Sequence, residues 1–166
     1  MNLLTGILML SSLAAAPVAA QTDPTAPPAG ANPLLTFTGV GVQIYTCKDQ
    51  PGGPAWAFVA PEAKLLDHAT EAGTHSAGPT WTLKDGSWVK GQVIATRPSP
   101  DADAIPWLLL KAAATSEAGA LAEVKYIRRS DTSGGKARTP GCDAAHLDAT
   151  DRVPYQATYI FYSAAP

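Results

Sequence analysis

His75-Ser76-Ala77-Gly78-Pro79-Thr80-Trp81, running on to Asp85-Gly86-Ser87-Trp88, is the stretch whose reading decides the fold. It holds one of three histidines, two of four tryptophans and the clearest turn signal in the chain. Asp85-Gly86 tolerates the positive φ angles of a type I′ turn, so residues 80–84 and 87–95 read as the two strands of a hairpin. A two-residue loop sets Lys84 opposite Ser87, Leu83 opposite Trp88 and Trp81 opposite Lys90. Directly opposed side chains share a face. That register gathers Trp81, Leu83 and Trp88 on one apolar surface with Lys90 at its edge, and places Thr82, Lys84, Ser87 and Val89 on the other. A bulge would exchange the faces of the second strand. Residues 70–79, rich in Gly, Ser and Thr, read as the loop that carries His75.

The flanking chain reads as further short strands. In residues 34–47, Val40, Val42 and Ile44 alternate with Gly41, Gln43 and Tyr45, the period of a strand. Residues 55–60 follow Pro51-Gly52-Gly53-Pro54 and complete a second hairpin; residues 62–67 fit strand or turn. Residues 96–106 are a Pro-rich loop. Residues 105–114 are almost continuously apolar, a pattern shared by buried strands and short helices; Pro106 and the β context favour a strand. Residues 121–130 predict another strand, residues 131–140 a basic loop, and residues 141–152 a polar segment with at most one helical turn. Residues 153–163 close the chain with Tyr155, Tyr159 and Phe161 on one face and Ile160 and Tyr162 on the other, as in a central strand. Seven or more short strands predict an all-β, mainly antiparallel single domain, a β-sandwich or barrel with long loops. The 15 prolines and 14 glycines of this 166-residue chain agree with many turns rather than long helices.

Residues 1–20 read as a secretory signal peptide: residues 3–13 are mostly apolar, and Val18-Ala19-Ala20 puts small residues before Gln21. The leader carries no Lys or Arg. Ser11, Ser12 and Pro17 interrupt its apolar run, which is short for a membrane span. No later stretch reaches transmembrane length, and no Cys follows the leader to take a lipid. The expected location is secreted or periplasmic, with no transmembrane anchor after processing. Residues 21–33, rich in Pro and Ala, are expected to be a flexible segment ahead of a domain spanning residues 34–166. In an oxidising compartment the two cysteines, Cys47 and Cys142, are expected to form a disulfide. There is no C-x-x-C, and no His at ligand spacing from either Cys.

A net charge of −2 gives no electrostatic case for nucleic acid or for an anionic membrane. His75, Trp81 and Asp85 form the first candidate cluster, since His is a base or ligand near neutral pH. A turn Asp, however, commonly bonds its own backbone, and a Trp commonly fills a core. A hydrolase would need a nucleophile beside its base; Ser76 and Ser87 qualify by type only, and no G-x-S-x-G elbow occurs. His68, His75 and His146 match no metal-ligand spacing, so no metal is assigned, although the fold could bring them together. Arg128, Arg129, Lys136 and Arg138 suggest a local basic patch to which an anion could bind, though four charges at a strand end and loop are commonplace. Aromatic residues including Tyr45, Trp56, Trp81, Trp88, Trp107, Tyr155 and Tyr159 could line a cleft for a sugar or an apolar ligand; in a small β domain most must fill the core.

Taken in order, Val42-Gln43-Ile44-Tyr45-Thr46-Cys47, His75-Ser76-Ala77-Gly78-Pro79-Thr80-Trp81, Asp85-Gly86-Ser87, Pro106-Trp107-Leu108-Leu109-Leu110, Thr132-Ser133-Gly134-Gly135, Val153-Pro154-Tyr155 and Tyr159-Ile160-Phe161-Tyr162 resemble a family of secreted bacterial and fungal domains. The family is domain of unknown function 3455, and the resemblance covers essentially the whole mature chain. It implies the domain type and no established activity. Some fungal members are labelled malate dehydrogenase. Here Gly39-Val40-Gly41 lacks the third glycine of a dinucleotide-binding turn and sits in no βαβ pattern, so that label is rejected and no cofactor is assigned.

The sequence therefore points to an exported β domain that binds a small or polymeric ligand, carbohydrate or a small apolar molecule. Its site is expected at His75, Trp81 and Asp85, with Tyr45 and Trp107 as walls. The alternatives are a secreted hydrolase with His75 as general base and Asp85 as its partner, and a structural envelope protein with no small-molecule site.

Overall fold

The computed structural model describes residues 22–138 and 140–164; the expected leader, residues 1–20, lies outside the described residues. Eight strands follow in order: β1 Pro33–Lys48, β2 Ala55–Asp67, β3 Thr70–Ser76, β4 Thr80–Leu83, β5 Trp88–Arg97, β6 Trp107–Thr115, β7 Tyr126–Gly134 and β8 Thr150–Tyr162. Each pairs antiparallel with the next, and β8 pairs with β1, which closes a barrel. Of the two expected architectures the barrel is therefore the one adopted, and the described residues contain no helix. Full closure leaves no strand edge unpaired.

Strand alternation sorts the side chains. On β8, Val153, Tyr155, Ala157, Tyr159 and Phe161 point inward and are buried. On β1 the inward set is Phe37, Gly39, Gln43, Tyr45 and Cys47, so Val40 of the aliphatic set faces out. Gly39 leaves room for the Tyr159 ring; a Cβ there would stand 2.4 Å from it.

The two barrel ends differ. At one end Phe37, Leu65, Leu83, Val89, Leu110, Ile127 and Phe161 pack into a single cluster. Leu121 and Val124, from the connection between β6 and β7, fill the remaining space, both fully buried. Burying each such side chain contributes about 1.5–3 kcal/mol. At the other end the loops after β1, β3, β5 and β7 form a rim. There Thr132 Oγ1 donates to Ile105 O at 2.6 Å, and Ala104 bridges to Gly135. The Cys47–Cys142 disulfide ties the loop after β7 to the end of β1, with Cα atoms 5.3 Å apart.

Several local expectations are corrected. Residues 70–76 form β3 rather than a loop. Gly73 is packed so closely that a Cβ would lie 2.2 Å from Thr82 O, so the glycine serves strand packing rather than a turn. In the hairpin, Trp81 pairs with Val89 and Thr82 with Trp88. Leu83 N–H donates to Ser87 O, Gly86 N–H donates to Leu83 O, and within the turn only Gly86 has positive φ, at 84°. That is a three-residue loop, a type I turn followed by a glycine bulge, rather than type I′. The extra residue turns Val89 inward, fully buried, and leaves Trp88 37% exposed. The strand expected over residues 121–130 begins only at Tyr126 and continues through Gly134, into the expected basic loop. Residues 62–67 extend β2, and residues 141–149 form turns without a helix.

Residues 22–33 make polar contacts with the barrel. Asp23 Oδ2 accepts from Arg128 Nη2 at 2.7 Å and lies 3.1 Å from Arg97 Nη1, while Thr25 is fully buried. Burial raises the Asp23 carboxyl, but hydrogen bonds from Thr25 and the two arginines outweigh it and hold the group below its usual pKa. These contacts are polar and involve no large apolar side chain of the segment.

Replacing both cysteines by serine is expected to lower the unfolding free energy by up to roughly 4–5 kcal/mol, the chain-entropy value for so long a loop. Chemical denaturation of the double variant, monitored by far-ultraviolet circular dichroism, checks this; an unchanged midpoint would show that the crosslink constrains nothing.

Candidate functional site

The unfilled end of the barrel holds a cavity of about 420 Å³. Its apolar walls include Phe58 and Val59 of β2, Val93 of β5, Ile105 and Pro106 of the loop after β5, and Leu108 of β6. The polar lining is Gln43 and Tyr45 of β1, His75 of β3 and Arg129 of β7. A smaller void lined by His75, Trp81, Leu110, Arg129 and Tyr159 shares part of this wall and reaches toward the packed core.

His75 is placed by β3 with its ring inside the barrel, 3% exposed. It stacks on Trp81 with centroids 4.3 Å apart and planes 5° from parallel, and meets the Tyr159 ring edge-on at 5.1 Å. Its Nδ1 lies 2.9 Å from Thr80 O. A carbonyl only accepts, so Nδ1 carries the proton. Burial pushes the His75 pKa down to about 3, the nearby Arg129 charge adds to this, and the bond to Thr80 opposes it. The ring is therefore neutral near pH 7, and its Nε2 presents a lone pair.

Arg129 enters the same space because strands alternate. Arg128 faces outward, where it reaches Asp23, while Arg129 lies beside inward Tyr159 and Leu108 in the pairing. Its Nε and Nη2 donate to Pro106 O at 3.1 and 2.8 Å. Tyr45 donates its hydroxyl to Gly135 O at 2.7 Å, and burial raises its pKa. Gln43 is 2% exposed, and its Nε2 has no hydrogen-bond partner among the described residues.

Of the five site residues expected from sequence, Tyr45 and His75 line the cavity. Trp81 stands behind His75 in the core, 1% exposed. Trp107 faces the outer wall, where the guanidinium carbons of Arg97 and Arg128 lie 4.8 and 5.4 Å from its ring centroid. Asp85 is at the opposite end of β4 from the His75–Thr80 contact. Its Oδ1 accepts from Ser87 N–H and Oγ–H, and its Oδ2 accepts from Ala120 N–H at 2.9 Å. These bonds hold its pKa below the usual value, and Asp85 is not the partner of His75. Ser76 is exposed, and Ser87 spends its proton on Asp85. Neither forms a nucleophile–base pair with His75.

His68 is on the exposed turn after β2 and His146 pairs with Asp143 in the loop after β7, so the three histidines do not converge. The basic residues disperse as well: Lys136 donates to Ala102 O and Arg138 pairs with Asp151. Sequence reading missed Gln43 as a site residue and left Arg129 within a surface patch. The available signal was Ile127, an apolar strand position two residues before Arg129 and therefore on its face.

The family model described as Protein of unknown function (DUF3455) matches residues 28–163, which span all eight strands. The chain belongs to this family. Comparison with curated proteins and with solved structures gave no match. In this DUF3455 domain the matched residues include the whole cavity lining and both cysteines of the disulfide.

The depressed His75 pKa sets a pH dependence. A His with lowered folded pKa takes up its proton more readily when unfolded, so its effect destabilises as pH falls from about 6.5 toward 3 and is absent above that window. The full span is at most about 5 kcal/mol. Thermal midpoints should fall between pH 6.5 and 5, and a His75→Phe variant should fall less over the same interval; equal slopes would refute the assignment. Asp85→Ala should lower the midpoint without altering ligand binding at the cavity, whereas loss of binding alone would return Asp85 to the site.

Proposed function

We propose that this exported domain is a binding protein that takes a small, largely apolar molecule into the open end of its barrel. One observation carries the reading: a cavity of about 420 Å³ walled by Phe58, Val59, Val93, Ile105 and Leu108, with only four polar side chains in its lining. Small-ligand sites have this size and composition. An eight-stranded barrel is either filled by its own side chains or holds one small ligand. This chain does the first at one end and leaves room for the second at the other. Export is supported by the leader-like residues 1–20 and by the disulfide.

No tryptophan lines the cavity, which favours an apolar ligand over a stacked sugar. A hydrolytic role gains no support, because His75 is held neutral, bonded to a backbone carbonyl, and far too weak a base at a pKa of about 3.

Titration with the uncharged dye N-phenyl-1-naphthylamine should give saturable one-to-one fluorescence enhancement. Val93→Trp should abolish it by filling the cavity, with little change in melting temperature because Val93 is 49% exposed. No saturable binding, or equal binding by both proteins, would overturn the proposal.

A further inference from the structure

We propose that the molecule held in the cavity carries a single anionic head, a carboxylate on an apolar body, and that Arg129 is the residue that anchors it. This rests on the cavity's being a binding site and adds the chemical class of its occupant.

The chain has five arginines, and four of them pair with carboxylates: Arg97 and Arg128 with Asp23, Arg138 with Asp151 and Arg152 with Glu62. Arg129 has no carboxylate partner among the described residues. It is also the only charged residue in the cavity lining. Its hydrogen bonds to Pro106 O use Nε and Nη2 and leave its positive charge without a counter-charge among the described residues. A cation held against apolar walls loses much of its hydration, and an anion brought to it restores that stabilisation.

The rest of the polar lining agrees in sign. Gln43 Nε2 is a buried donor with no hydrogen-bond partner among the described residues, in a residue that lines the same cavity. A buried donor left unsatisfied is destabilising, and an acceptor on the ligand would relieve it. His75 adds no second positive charge, because its ring is buried at 3% exposure and stacked on Trp81, a setting that disfavours protonation of Nε2. No Asp or Glu lines the cavity to repel an anion. One cation matches one negative charge, and the apolar walls match the remainder of the molecule.

Octanoate, 1-octanol and octylammonium share a chain length and differ in head charge. In displacement of the neutral dye at pH 8, octanoate should act at concentrations about tenfold or more below octanol, with octylammonium weakest. Arg129→Gln should remove the preference for octanoate over octanol; Arg129→Lys should keep part of it. Added salt should weaken octanoate and not octanol. If octanol displaces the dye as well as octanoate does, the anionic class is wrong while the cavity remains a binding site. If the dye binds and none of the three displaces it, the anionic class is again wrong while the cavity remains a binding site; if the dye does not bind at all, both statements fail. Should Arg129→Gln fail to fold, the ranking of the three probes on the unaltered protein still decides.

Discussion

The pairing of β1 with β8 is the constraint on which the rest of the structure depends. Once the last strand meets the first, the sheet has no edges, and every strand must commit one face to an interior of fixed width. The inward positions then have to share that interior among eight strands. At one end they fill it with Phe37, Leu65, Leu83, Val89, Ile127 and Phe161, reinforced by Leu121 and Val124 from a connecting turn. At the other end the inward residues of β1 and β7 are polar, Gln43, Tyr45 and Arg129, and the interior is left open. The same alternation thus produces the core and the cavity from one closed sheet.

Much of this was legible in the chain. Turn-rich composition and period-two alternation indicated an all-β domain, and two cysteines behind a leader-like N-terminal stretch indicated the bridge. What failed were details that depend on distant partners. Asp-Gly suits a two-residue loop and a three-residue loop equally. The observed loop places Asp85 where it can accept from Ala120, 35 residues away, a contact invisible to local reading. Residues 70–76 looked like a loop because Gly, Thr and Ser occur in both settings. Their strand character comes from pairing with β2 and β4, where Gly73 admits the close approach of Leu83.

The site was legible in part for similar reasons. Tyr45 sits in a strand whose alternation is visible in the sequence, whereas His75, expected on a loop, enters the cavity because β3 pairs with β2 and β4. Trp107 begins a continuous apolar run, in which no periodicity marks inside from outside; pairing turns it outward beneath two arginines. Arg128 and Arg129 looked like one patch because adjacency in sequence suggests adjacency in space. In a strand it means opposite faces, and that separation gives the cavity its one charge.

The central claim is a barrel filled at one end and receptive at the other. Nuclear Overhauser contacts between a bound neutral naphthylamine and the methyl groups of the isotope-labelled protein test it most directly. The account predicts contacts to Val59, Val93, Ile105 and Leu108 and none to Leu65, Val89 or Leu121. Contacts to the packed end, or only to outward residues such as Leu34 and Val40, would contradict it.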